Sequence, residues 1–214
     1  MLTANNHCLD RGSKGLIRTL DILDSLGIAH VGTYRNQEER DSLYPYITTT
    51  NGIRCAILNY TYGTNGISVN PPCIVNYIDT TQILKDINKA RIKKADVIIA
   101  CMHWGNEYVL KQNREQEQLA DWLIENGVDH IIGSHPHVIQ PTDIREDKFD
   151  SGYHFIAYSL GNYISNMSAK HTDIGIAVTL NMSKRLFTTG LTGIMVDTIR
   201  TDRKGFILRP MKQK

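Results

Sequence analysis

Three short polar clusters each follow an apolar run. Asn5, Asn6 and His7 follow "MLTA"; His103, Trp104, Gly105, Asn106 and Glu107 follow "DVIIACM"; Gly133 to His137, "GSHPH", follow "VDHII". Imidazole nitrogen together with amide oxygen suits a borderline divalent ion such as zinc, manganese or iron. Pro136 stiffens the loop between His135 and His137. In an extended segment residues two apart point the same way, so both imidazoles are expected to face one site. Gly105 and Gly133 are expected to let backbone approach an ion or phosphate closely. A single histidine at a strand end is usually just a hydrogen-bonded group. It is the ordered set of three clusters that points to metal. His30, His130, His154 and His171 lack such a setting and read as ordinary structural or surface histidines.

Residues so far apart in sequence meet only if strands and helices bring them to one sheet edge. Open α/β folds do this at the carboxyl ends of their strands. "SKGLIRTLDILDSLG" places Leu16, Leu20, Leu23 and Gly27 on one helical face, with Ser13 as N-cap and Gly27 as C-cap. "IAHVG" reads as a short strand. "YITTTNGIRCAILNY" reads as a hairpin turning at Asn51-Gly52. "TQILKDINKARIKKA" is a helix burying Ile83, Ile87 and Ala90, and "DVIIACMHW" is a buried strand. "NREQEQLADWLIENG" is a helix burying Leu119, Trp122 and Leu123, and "VDHIIG" is the next strand. After residue 150 the runs read as successive strands. The pattern predicts one α/β domain over residues 1–214, with a mixed sheet or two sheets face to face.

Composition narrows the function classes. The chain has 214 residues, 41% apolar and 21% charged, as expected of a globular chain. A net charge of +2 leaves no electrostatic case for nucleic acid. The five basic residues from Arg203 to Lys214 read as a solvated tail. Cys8, Cys55, Cys73 and Cys101 contain no CxxC pair and read as free, small, half-buried side chains. No apolar run approaches a membrane span and no secretory leader pattern opens the chain.

Longer stretches carry a resemblance. "ANNHCLDRGSKGLIRTLDILDSLGIAHVGTYRN" resembles the capsule-synthesis proteins, also called CapA or poly-gamma-glutamate biosynthesis proteins. "NYTYGTNG", "VIIACMHWGNEY", "LADWLIENGVDHIIGSHPHVIQP" and "YSLGNYI" are similar to further signatures of that family, in the same order, strongest over residues 3–165. The resemblance implies a metallophosphoesterase-like α/β/β/α sandwich with a centre for up to two divalent ions, manganese, zinc or iron. It implies that Asn6, His103 and His135 are ligands of the second metal and His137 of the first. His7 would assist the leaving group, as general acid or as donor to a developing oxyanion. Cys8 stands where the family has a small apolar residue and reads as its packed substitute. Asn5, Asp10, Trp104, Glu107, Tyr158, Ser159 and Asn162 fall in the same signatures and are expected to line or brace the site.

The family pattern also has an earlier segment: a strand ending in Gly-Asp, a helix and an Asn-Leu-Glu motif, which supply acidic ligands. This chain opens just before "NNH", so the preferred expectation is a piece of a longer product lacking its N-terminal strand-helix segment. The resemblance implies action at the outer face of the bacterial cell membrane or in secreted form. The implied partners are an anionic polymer or phosphoester substrate and membrane-bound polymer synthase or export proteins. The competing expectation is a non-catalytic factor that binds the anionic polymer.

Overall fold

A computed structural model of the protein describes residues 1–147, 152–184, 189–202 and 204–211. The chain forms two compact units. The first is Met1–His103 with Asn126–Val128; the second is Trp104–Glu125 with Asp129–Lys214.

The first unit is built of short helices and a mixed ladder. Helix α1 (Gly12–Ser25) buries Leu16, Leu20 and Leu23, the predicted face. Its cap is not the predicted one: Arg11 is the N-cap, and no side chain caps the helix there. Its end is as predicted. Gly27 takes φ 65°, Gly27 N donates to Asp24 O and Ile28 N to Leu23 O, so the last carbonyls are satisfied. "IAHVG" forms no strand. Val31 makes only an isolated parallel bridge with Leu2, and strand β1 is Thr33–Tyr34. Helix α2 (Gln37–Leu43) follows, capped by Asn36, whose Oδ1 accepts from Glu39 N at 2.8 Å. Strands β2 (Tyr46–Thr50) and β3 (Ile53–Thr61) are the predicted hairpin, with Asn51 (φ 50°) and Gly52 (φ 79°) in its turn. The two-residue strand β4 (Ile74–Val75) pairs with β1.

Helix α3 (Thr80–Ile92) buries Ile83, Ile87 and Ala90, as predicted, and also Asp86. That carboxylate is compensated: it accepts from Arg40 Nη2 at 2.7 Å and from Tyr60 Oη at 2.9 Å. Burying it unpaired would cost several kcal/mol. Strand β5 (Val97–His103) runs parallel to β3, so the order within this unit is β2-β3-β5.

The second unit begins at Trp104. Helix α4 (Arg114–Glu125) opens on a reciprocal cap: Asn113 Oδ1 accepts from Gln116 N at 2.8 Å, and Gln116 Oε1 accepts from Asn113 N at 3.0 Å. It buries Gln116, Ala120 and Leu123, whereas Leu119 and Trp122, expected in the core, are only half-buried. Strands β6 (His130–Ser134), β7 (Thr142–Glu146) and β8 (Tyr153–Ala157) form a mixed ladder in the order β6-β8-β7. Strands β9 (Ile174–Lys184), β10 (Thr189–Asp202) and β11 (Ile207–Pro210) form a separate antiparallel sheet. The basic tail is therefore partly an edge strand: Arg209 Nη2 pairs with Asp202 Oδ2 at 3.0 Å. Arg203, Lys212 and Lys214 lie outside the described residues.

All four cysteines are free. Cys55, Cys73 and Cys101 are fully rather than half buried, and only Cys8 is half-buried. Cys8 packs against the cluster of Leu9, Leu16, Leu20, Cys73 and Val75, a packing position. Among the described residues no helix is long and apolar enough to cross a membrane.

Candidate metal-binding and proton-transfer groups

The first unit gathers the Asn5–His7 turn and the end of β5. Asn59, buried on β3, holds them: its Oδ1 accepts from Ala4 N at 2.8 Å and its Nδ2 donates to Cys101 O at 3.1 Å. The turn is tied internally, with Asn5 Oδ1 accepting from His7 N at 2.9 Å. Asn6 is 4% exposed. Its Oδ1 accepts from His103 Nε2 at 2.9 Å and its Nδ2 donates to Asn65 Oδ1 at 3.1 Å. That 2.9 Å is the length of an ordinary hydrogen bond. Tyr62 stacks on the His103 ring, 6.3 Å between centroids at 6°.

His7 is exposed, and its Nδ1 lies 2.8 Å from Asp10 Oδ2, which accepts its proton. The ring's other nitrogen, Nε2, is thereby the one available for proton transfer to a ligand. A cavity of about 370 Å³ lies beside it, lined by Leu2, Asn5, His7, Asp10, Arg11 and Thr19 among others. Burial pushes the Cys8 thiol up, which disfavours a thiolate there.

The second unit gathers the loop after Trp104, the turn after β6 and the loop after β8. Glu107, His135 and His137 each bring one donor atom to within 4.8 Å of the others. His137 Nε2 lies 3.8 Å from Glu107 Oε1, and the rings of His135 and His137 are 6.1 Å apart. The expected extended backbone is absent here. His135 takes φ 102° and His137 φ 60°, so left-handed conformations flanking Pro136, not strand alternation, converge the two rings. Such a conformation costs a side-chain-bearing residue about 1–3 kcal/mol, and it clusters where function requires it.

Asn162 sets the direction of His137. Its Nδ2 donates to Thr172 O at 2.9 Å, so its Oδ1 accepts from His137 Nδ1 at 3.0 Å and leaves Nε2 toward Glu107. Ser159 braces the same turn: its Oγ donates to Val138 O at 2.8 Å, and Gln140 N donates to Ser159 O at 3.1 Å. Trp104 is 2% exposed and donates from Nε1 to Tyr158 O at 2.9 Å. Gly133 sits tight against its neighbours. A Cβ there would meet Tyr158 O at 2.0 Å and Trp104 Nε1 at 2.6 Å, so the missing side chain serves packing. Gly105, at φ 85°, likewise lies against the Gln116 amide.

Asn59, Asn65, Tyr108, Gln116 and Gln140 escaped the sequence reading of the site. Asn59 and Asn65 do sit in the "NYTYGTNG" signature, and Gln116 sits three residues after the Asn113 cap, the one local signal for it. The other histidines are structural or exposed. His30 Nε2 pairs with Asp24, His130 Nδ1 accepts from Phe155 N, His154 pairs with Asp147, and His171 lies in an exposed turn. In the second unit, two imidazoles and a carboxylate fit zinc, manganese or iron better than calcium or magnesium.

Comparison with known proteins shows the family of the chain. The family model of the bacterial capsule synthesis protein matches residues 1–167. The capsule biosynthesis protein CapA of Bacillus anthracis is 33% identical over 167 residues, covering 75% of this chain and 38% of that protein. The PGA biosynthesis protein CapA of Bacillus subtilis (strain 168) is 29% identical over 185 residues, covering 85% of this chain and 46% of that protein. The chain thus spans less than half the length of these relatives. Among solved structures, the NAD nucleotidase of Haemophilus influenzae superposes with a TM-score of 0.53 at 15% identity, covering 98% of this chain and 38% of that one. That likeness shows the fold, a mixed α/β architecture.

Proposed function

The chain belongs to the bacterial capsule synthesis protein family, and from that premise we propose that it serves capsule assembly as a metal-dependent hydrolase of phosphoesterase type. The observation that carries this is the convergence of His135 and His137 in the second unit, with His137 aimed by Asn162. A divalent ion, when bound, supplies Lewis acidity toward a phosphoryl oxygen and toward water. The residues of this chain do the rest. Asn162 and Ser159 hold the His135–His137 turn in place. Asp10 orients His7, whose Nε2 serves proton transfer to a leaving oxygen. Asn6 and His103 of the first unit offer further oxygen and nitrogen donors. The proposed partners are an anionic polymer or its phosphoester precursor, and the membrane-bound synthesis or export proteins that handle it at the outer face of the cell.

The test is turnover of a chromogenic phosphodiester by the manganese-loaded chain. Removing a general acid costs typically 10²–10⁴-fold, so His7→Ala is expected to lose at least 10²-fold in kcat with ion content unchanged. The reading fails if the loaded chain has no turnover while its retention of poly-gamma-glutamate survives His135→Ala and His137→Ala. That result would make it a polymer-binding assembly factor.

A further inference from the structure

We infer that Glu107 is a direct metal ligand, sharing one divalent ion with His135 and His137 inside the second unit. The inference rests on the metal-dependent reading above and names a ligand that reading does not require. The donor atoms of the three residues already lie within 4.8 Å of one another. An ion about 2.1 Å from each donor spaces the donors about 3–4 Å apart. The Glu107 Oε1 to His137 Nε2 distance, 3.8 Å, is inside that range.

The aim of the His137 ring adds to this geometry. Thr172 O fixes the Asn162 amide with its oxygen toward His137, so His137 Nδ1 is the donor. In the neutral ring Nε2 then carries a lone pair, and it faces a carboxylate oxygen. A ring nitrogen and a carboxylate oxygen so placed are both available to one ion. Glu107 is also held in place, although its loop is exposed. Tyr108 N donates to Pro136 O at 2.8 Å, and the Tyr108 ring stacks on His137 with centroids 6.0 Å apart. Tyr108 itself takes φ 65°. Three side-chain-bearing residues, Tyr108, His135 and His137, therefore hold left-handed backbone around one point. Behind them, Gln140 Nε2 donates to Val109 O and Lys111 O, and Gln116 Nε2 donates to Gln140 Oε1, pinning the loop that follows Glu107. Two imidazoles and one carboxylate leave coordination positions open, as a hydrolytic zinc, manganese or iron site requires.

The experiment strips the full chain with chelator and titrates it calorimetrically with manganese and with zinc, measuring ion content after dialysis. Cobalt loading adds a spectrum that reports the ligand set. The variants are Glu107→Gln, Glu107→Asp and, as a control acid elsewhere on the surface, Glu125→Gln. Glu107→Gln is expected to weaken the tightest ion at least 10-fold and to shift the cobalt bands. Glu107→Asp is expected to recover part of the affinity, and Glu125→Gln to match wild type. An ion that binds wild type and Glu107→Gln alike, with unchanged cobalt bands, overturns this inference alone. A wild-type chain that takes up no ion overturns it together with the metal-dependent reading.

Discussion

Asn162 shows how a residue with no expected role as ligand controls one that has it. Its single oxygen decides which nitrogen of His137 carries the proton. Partners of this kind are worth roughly 10–100-fold in metal affinity. Asn162→Ala is expected to weaken the ion by that factor while its melting temperature stays within a few degrees of wild type, checked by titration and a thermal melt. At this scale the residue types were legible and their conformations were not. Imidazoles two apart announced a site, but the rule that makes them share a face belongs to extended backbone, and His135 and His137 are left-handed. Glu107 was expected to line or brace the site and not to be a ligand, because its approach depends on the turn through Gly105 and on Tyr108 bonding to Pro136. Gln116 and Gln140 pass for surface amides until the loop they pin is seen.

Elements were read best where local chemistry decides them. The Asn51-Gly52 turn and the Gly27 helix end each need a left-handed residue, and the sequence supplies one that tolerates it. "IAHVG" failed as a strand because its parallel pairing with the opening residues stops at a single bridge, Leu2 with Val31. Ser13 failed as a cap because the helix starts two residues earlier, behind Arg11. The contrast between two glycines tests this view. Gly52 has nothing within 4 Å of a built Cβ, whereas Gly133 is closed off by Tyr158 O and Trp104 Nε1. Gly52→Ala is expected to cost about 1 kcal/mol, from backbone strain alone. Gly133→Ala is expected to cost about 3 kcal/mol by overpacking, or roughly 6–12 °C in Tm for a chain of this size. Equal effects in thermal melts would refute the assignment of Gly133 to packing.

For the molecule as a whole, one buried histidine sets an acid limit. Burial, and then the nearby charge of His154, push His130 from 6.5 down to about 4. Between those values the unfolded chain holds a proton that the folded chain refuses. Stability is therefore full above about pH 6.5 and is lost as pH falls toward 4, by about 3 kcal/mol. Denaturant midpoints across that range are expected to slope downward toward acid, and to flatten in His130→Gln. The thiols set a different boundary. Burial holds the Cys101 thiol up at about 12, which leaves about one thiolate in 10⁵ at neutral pH. Cys8 is raised too, and Cys55 and Cys73 are buried. Oxidants and disulfide exchange act on thiolates, so the buried thiols of Cys55, Cys73 and Cys101 are expected to react with a thiol reagent only as fast as the fold opens around them.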